Sequence, residues 1–555
     1  LVLPLAACAQ TAAPPPATAA RGVVSAADPR AAEAGREMLR AGGSATDAAL
    51  AMMLALTVVE PQSSGIGGGG FFLHHSAETG ELNTIDGRET APASATQERF
   101  LTDAGAPMGF AEAYQGGLSV GVPGNIRLMA TAHRAWGRLE WARLFDPAIR
   151  LAEEGYTIND RMAAFLADTR TDWADFPETR AIYWEDGAPK VEGDIVRNPA
   201  LAALLRRVAA DGPDAFYTGA NAAAIIETVG EAERNPAAMT TEDLAGYRAI
   251  AREPVCRPYR HFRICGMGPP SSGATTVLSI LGMLERFELP AMGPDDPRAW
   301  HLIGEAMRLA YADRELYLGD ADFVEVPVEG LLDRTYLAQR SALISPDRSL
   351  GTYGAGTPPG APERRAGLPV EEGGTTHFAA VDRDGNVANM TSTVESVFGS
   401  QLVANGYILN NELTDFAFVP IANGAPVANR VEPGKRPLSS MSPTLVYDSG
   451  GRLILALGSA GGKRIIMHVT KTLIGVLDWG LSAEEAIVLP NIYFGRHGLL
   501  VESGTSLDAM RPALEALGHV VTPADLASKV NAVEWTDAGW RGAADPRSPG
   551  VALSE

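Results

Sequence analysis

Apolar positions follow two rhythms along this chain, one of period near 3.6 and one of period two, and they alternate in blocks. Residues 30–60 read as two helices. The second opens on Ser44-Ala45-Thr46-Asp47, a capping pattern, and runs through an Ala- and Leu-rich stretch to Glu60-Pro61. The run Ser63-Ser64-Gly65-Ile66-Gly67-Gly68-Gly69-Gly70 then enters the apolar segment Phe71-Phe72-Leu73. It lacks the Lys-Ser/Thr of a phosphate loop and precedes its strand, so close backbone packing in a buried sheet is its expected use. From about 110 to 350 the text is mostly helical. Residues 300–318 form its clearest amphipathic segment, and a hairpin at 255–265 and the turn-forming residues 268–273 interrupt it. Beyond residue 375 the pattern predicts strands at 376–394, 402–410 and 443–458, with a turn at Asp384-Gly385 and a helix over 464–477. Strands at both ends around a helical middle fit one α+β domain better than two separate ones.

The sharpest change of texture falls at one peptide bond. Residues 351–374 hold seven Gly and four Pro in 24 positions, the composition of a linker. At Thr375-Thr376-His377-Phe378 a strand begins at once. Cleavage before Thr375 would place a new α-amine beside its own hydroxyl, one of the few ways to make threonine a nucleophile with a built-in base. Gly374, lacking a Cβ, lets that hydroxyl approach its own upstream carbonyl.

Five ordered motifs extend this signal. They are Glu371-Glu372-Gly373-Gly374-Thr375-Thr376-His377-Phe378, Thr391-Ser392-Thr393, and Asn410-Asn411-Glu412-Leu413-Thr414-Asp415-Phe416. Gly434-Lys435-Arg436-Pro437-Leu438-Ser439-Ser440-Met441-Ser442-Pro443 and Gly458-Ser459-Ala460-Gly461-Gly462 complete the series. The set resembles the γ-glutamyltranspeptidase (glutathione hydrolase) family of N-terminal-nucleophile hydrolases, from about residue 22 to Pro549. The resemblance implies a four-layer αββα sandwich, with residues 22–374 as a large subunit and 375–555 as a small one, both contributing to one core. It implies Thr375 as nucleophile, Thr393 as the hydroxyl that orients it, and Gly461 and Gly462 as the oxyanion hole. Backbone N–H groups at a helix start suit a developing alkoxide. For the substrate it implies Glu412 and Asp415 on the ammonium, and Arg88 with Ser439 and Ser440 on the carboxylate, where a planar fork outperforms Lys. No cofactor or metal is implied. The partners are a small γ-glutamyl substrate, and water or an amino-acid or dipeptide acceptor.

Three positions depart from that pattern. Glu395 stands where the best-known members carry Asn, adding a negative charge beside the ammonium site. Residues 416–436 look short for a lid and contain no Tyr or Trp, so hydrolysis of the acyl-enzyme is expected to outrun transfer. Lys463 follows the glycines where a small residue is common.

Composition narrows the remaining choices. A chain of 555 residues with 46% hydrophobic content can bury one large core or two ordinary ones, and a net charge of −21 argues against a nucleic-acid surface. No apolar run approaches the roughly 20 residues of a membrane span. Residues 1–21 read as an export signal and tether. Leu5-Ala6-Ala7-Cys8 resembles a lipobox that would lipidate Cys8; an ordinary signal with a chance cysteine is the other reading, and either places the protein in a bacterial periplasm. There, Cys256 and Cys265, symmetric about a turn near Arg260-His261, are within reach of a bridge. Nine scattered His show no zinc or haem spacing. An amide acylase of the same fold, or an exported binding lipoprotein without catalysis, are the competing readings.

Overall fold

The computed structural model describes residues 22–168, 173–362, 364, 374–422, 424–495 and 498–555. The Cys8 motif and Glu371-Glu372-Gly373 lie outside them. Two antiparallel sheets stack face to face. The first has seven strands in the order Val551–Ser554, Val23–Ala26, Thr376–Val381, Val387–Thr393, Gly69–His75, Leu82–Asp86 and Ile250–Arg252. The second has six: Gly539–Ala544, Asn531–Thr536, Leu453–Gly458, Thr444–Tyr447, Phe262–Gly266 and Val255–Tyr259. Strands from both sides of the Gly374-Thr375 bond enter both sheets, so the expected single α+β domain with four αββα layers is what forms.

Period two sorts the first sheet's side chains between its two faces. Phe72, Phe378, Ala380 and Met390 join one core with helices Pro29–Arg40 and Ala45–Val59. Phe71, Leu73, Ala379 and Val387 point the other way, into a core shared with Ile264, Leu445 and Val533 of the second sheet. Helices Gly273–Leu284, Pro297–Tyr317 and Ile465–Leu477 supply the outer layer. The helix Ala45–Val59 is buried along its whole length, and Ser44 and Asp47 form the expected capping box.

Two elements differ from the sequence pattern. Residues 402–410 form no continuous strand; Val403–Ala404 and Tyr407–Ile408 make a small hairpin turned at Asn405 and Gly406, both with positive φ. The segment 300–318 is helical but not one-sided, because Ala299 to Ala310 is buried throughout. Its polar residues are satisfied internally, as in the Glu305–Arg308 pair at 3.0 Å and the Asp313–Arg340 pair at 3.1 Å.

Cys256 and Cys265 face each other in register across their hairpin and are joined by a disulfide. The glycine run works as a close-packed seam. A Cβ on Gly68 would lie 1.9 Å from the Thr393 carbonyl oxygen, a contact only glycine avoids. Gly68→Ala is therefore expected to cost about 1–3 kcal/mol or more of stability. Thermal unfolding should show a midpoint lowered by several degrees; an unchanged midpoint would mean that the seam can spread without cost.

Candidate active site

Thr376 pairs with Ser392 in the antiparallel ladder, so Thr375 and Thr393 fall opposite each other at the strand ends. Their Oγ1 atoms are 3.2 Å apart. The Thr375 hydroxyl donates to the Gly374 carbonyl oxygen, and the Thr393 hydroxyl is 3.0 Å from the same oxygen. The Glu395 N–H donates to Thr393 Oγ1 at 2.8 Å, fixing that side chain from behind. Gly374 sits under the Glu395 and Ser396 carbonyls, which a Cβ would meet at 2.8 and 2.9 Å. All the groups that would react at this bond are buried.

The pocket that opens beside Thr375 encloses about 60 Å³. One wall is Gly462, with φ of 58°, leading into the helix Ile465–Leu477, while Gly461, with φ of 124° and expected beside it, borders the neighbouring cavity. Opposite lies an acid cluster around one arginine. Arg88 is 1% exposed, and the carbonyls of Pro437 and Leu438 accept from its guanidinium at 3.1 Å each. Its two terminal nitrogens pair with Glu412 and, at 2.5 Å, with Asp415. Burial works against the Arg88 cation, and Glu412, Asp415 and Glu89 more than offset it. The residues expected to grip opposite charges on a substrate thus pair with one another.

Glu395 lines this pocket, held by Ser396 Oγ at 2.5 Å and by the Asn411 amide. Burial, then the proximity of Asp415 and Glu412, raises its carboxyl well above the ordinary range. The negative charge expected there from sequence is thus opposed by burial and by the neighbouring carboxyls. Behind Arg88, Glu89 and Glu412 form a second crowded pair. Burial lifts Glu412 to about 7 against the opposing pull of Arg88, and burial with Glu412 lifts Glu89 well above the ordinary carboxyl range.

Ser439 and Ser440 also line the pocket, but Ser440 Oγ already accepts from Arg314 Nη2 at 2.7 Å. Arg314 bonds Ser272 Oγ at 2.8 Å and Glu315 at 2.6 Å, and Glu315 pairs with Lys463 at 2.9 Å. Burial pushes the Glu315 carboxyl up, yet Lys463 and Arg314 bring it below its usual value. This Arg314–Glu315–Lys463 chain accounts for Lys463 and was missed from sequence, because a helical Asp-Arg-Glu reads as solvated surface. The segment after Asp415 is not an open edge either. Phe416, Ala417, Val427 and Asn429 contribute to the pocket wall, and the Asn429 amide donates to the Asp415 carbonyl at 2.7 Å.

Among the described residues one cluster could offer metal ligands, His301, Glu305 and His519, with ligand atoms within 4.8 Å of one another. His301 and Glu305 are one turn apart on the helix Pro297–Tyr317, and chain folding brings His519 to them from a distant position. His301 Nδ1 and His519 Nε2 are hydrogen-bonded at 2.7 Å, and Glu305 is engaged separately by Arg308 and the Leu350 N–H. None of the three lines the pocket at Thr375.

The sequence profile of the gamma-glutamyltranspeptidase family matches residues 31–554. A glutathione hydrolase proenzyme of Escherichia coli is 36% identical over 549 residues, covering 96% of this chain and 91% of that protein. One from Bacillus subtilis is 36% identical over 548 residues, with the same coverage of 96% and 91%. The crystal structure of a cephalosporin acylase from Bacillus halodurans superposes with a TM-score of 0.83 at 27% identity, covering 99% of both chains. The two stacked sheets and this likeness define an N-terminal-nucleophile hydrolase architecture. Within it, this chain belongs to the γ-glutamyltranspeptidase family.

The Glu89–Glu412 pair has a measurable consequence. Both carboxyls are raised on folding, so the folded chain binds more protons than the unfolded one above the ordinary carboxyl range. Stability contributed there is lost as pH rises through about 7, where Glu412 titrates. Glu89→Gln keeps the shape and removes a carboxyl whose ionisation folding opposes, so the variant should gain stability relative to wild type as pH rises from the ordinary carboxyl range through about 7. Parallel thermal scans would read this, and a difference that stays flat with pH would refute the assignment.

Proposed function

We propose that the protein is a self-processing γ-glutamyl hydrolase/transferase acting on glutathione and related γ-glutamyl amides. The observation that carries this reading is the Thr375–Thr393 pair closed around the Gly374 carbonyl. In the precursor, Thr375 Oγ1 attacks that carbonyl carbon while the Thr393 hydroxyl stabilises the developing oxyanion. The C–N bond breaks as nitrogen takes a proton, and water hydrolyses the resulting ester. The products are a large subunit ending at Gly374 and a small one beginning at Thr375.

The freed α-amine, with an unperturbed pKa near about 8, then serves as base for its own hydroxyl. Thr375 attacks the γ-carbonyl, and the N–H groups of Gly461 and Gly462 receive the oxyanion, each such donor being worth about 3 kcal/mol. The leaving amine departs protonated, and a γ-glutamyl ester on Thr375 remains. The substrate's α-carboxylate takes Arg88 from its acid partners, with Ser439 and Ser440 alongside. Its ammonium takes the released Glu412 and Asp415, with the Glu395 carboxyl alongside.

Export to an oxidising compartment is supported by the Cys256–Cys265 bridge, and no described helix is long and apolar enough to cross a membrane. Lipidation at Cys8 would add an anchor. An amide acylase is the second reading, favoured by the likeness to the Bacillus halodurans cephalosporin acylase and by the extra carboxyl of Glu395. A screen of γ-glutamyl amides against acyl amides separates the two.

Thr375→Ala should give an uncut, inactive chain on a denaturing gel, and Thr375→Ser a slowly cut one, because one hydroxyl serves both reactions. Turnover by the Ala variant would end this reading. The short 416–436 segment gives the γ-glutamyl ester no Tyr or Trp cover against water. Free glutamate should therefore exceed γ-glutamyl-glycylglycine at millimolar acceptor, and a mixture dominated by the transfer product would show that this segment does not govern water access.

A further inference from the structure

Lys463 borders a second cavity as well as the pocket at Thr375. The second encloses about 540 Å³, nine times the volume of the first. The smaller space touches Gly462 and the larger touches Gly461, so the glycine turn forms part of both walls. Four cations line the larger one, drawn from both sides of the Gly374-Thr375 bond: Arg161, Lys463, Arg464 and Lys529. Two are already neutralised. Lys529 is held by Glu60 at 2.7 Å and Ser63 at 2.9 Å, and Lys463 by Glu315 at 2.9 Å.

Arg161 and Arg464 differ. Neither has a carboxylate partner among the described residues. Arg464 reaches only the Asp525 carbonyl oxygen, at a long 3.4 Å. Arg161, on the helix Asp160–Leu166, stacks over the Phe165 ring at 5.2 Å, and its Nε is buried with no hydrogen-bond partner. Asp525 is the one acid on this wall, and its Oδ1 is engaged by the Ala527 N–H at 3.1 Å. Phe165, Tyr493 and Leu500 supply apolar surface beside the guanidiniums.

A γ-glutamyl amide has two unequal halves. Its acyl half is compact and carries both charges of an amino acid. Its amine half, when that half is a peptide, is bulkier and ends in a carboxylate. We infer that the larger cavity receives the amine half and that Arg161 and Arg464 bind its terminal carboxylate. The inference rests on the reading given under Proposed function and adds a substrate class to it: γ-glutamyl peptides with a free C-terminal carboxylate, in preference to γ-glutamyl amides of neutral amines. Guanidinium forks suit that role, since they match a carboxylate's two oxygens and shed water more readily than an ammonium.

The test compares three substrates on the processed enzyme: glutathione, glutathione with its glycine carboxylate converted to a carboxamide, and γ-glutamyl-p-nitroanilide. Wild type should favour the acid over the carboxamide by about tenfold in kcat/KM, the scale of one charge-assisted hydrogen bond. Arg161→Gln and Arg464→Gln should each shrink that preference toward unity through KM for glutathione, with γ-glutamyl-p-nitroanilide unchanged. A wild type indifferent to the carboxylate overturns the inference without need of any variant. So do variants that slow all three substrates equally. Failure of wild type to turn over any γ-glutamyl compound would instead overturn the family reading beneath it.

Discussion

The site depends on one register. Because Thr376 lies opposite Ser392, the ends of two adjacent strands bring Thr375 and Thr393 to hydrogen-bonding distance, and a slip of one residue would send both side chains to opposite faces. That register is held by more than its own ladder. Each of the two strands is flanked by a further strand, Val23–Ala26 on one side and Gly69–His75 on the other, and buried apolar side chains line both faces. Gly68 lets its loop press against the Thr393 carbonyl, and the Glu395 N–H locks the Thr393 hydroxyl. The positions of two oxygens are thus set by the packing of the whole sandwich.

Electrostatics poses the opposite problem, since Arg88 and several carboxyls are gathered where water cannot solvate them. Burying an unpaired charge is costly, and pairing repays the cost only with good geometry. The pocket meets this by two devices: Arg88 takes Glu412 and Asp415, and the Glu395 and Glu89 carboxyls are raised above their ordinary range, which favours their neutral forms. Such an arrangement contributes little net stability by itself. It keeps a set of charges in place that can be re-partnered without rebuilding the backbone.

Much of this was legible in the chain because its signals are local. The glycine before Thr375, the Asp384-Gly385 turn, the Ser44 cap and the symmetric cysteines each act within a few residues, and each stands where the pattern put it. Motif order then placed Arg88, Glu412, Asp415, Ser439 and Ser440 around one pocket, which no periodicity could have done. What escaped is non-local. Arg314 reaches Ser440 across 126 residues, and its helix is buried all round where its pattern looked one-sided. The short strands at 403–408 lost to tertiary context, since positive φ at Asn405 and Gly406 turns the chain back on itself. The charge state of Glu395 was out of reach for the same reason, being set by neighbours that only the fold supplies.

The interleaving of strands has a consequence for time as well as space. Val23–Ala26, from before the Gly374-Thr375 bond, pairs with both Thr376–Val381 and Val551–Ser554, from after it. Severing that bond therefore removes a covalent link without removing a neighbour from either sheet. If that bond is cut, the two pieces no longer share one chain, and a fully unfolded pair must find each other by diffusion before the first sheet can regain its strand order. The intact precursor can search for its fold as a single molecule, whereas the cut protein's persistence becomes a matter of how slowly it opens.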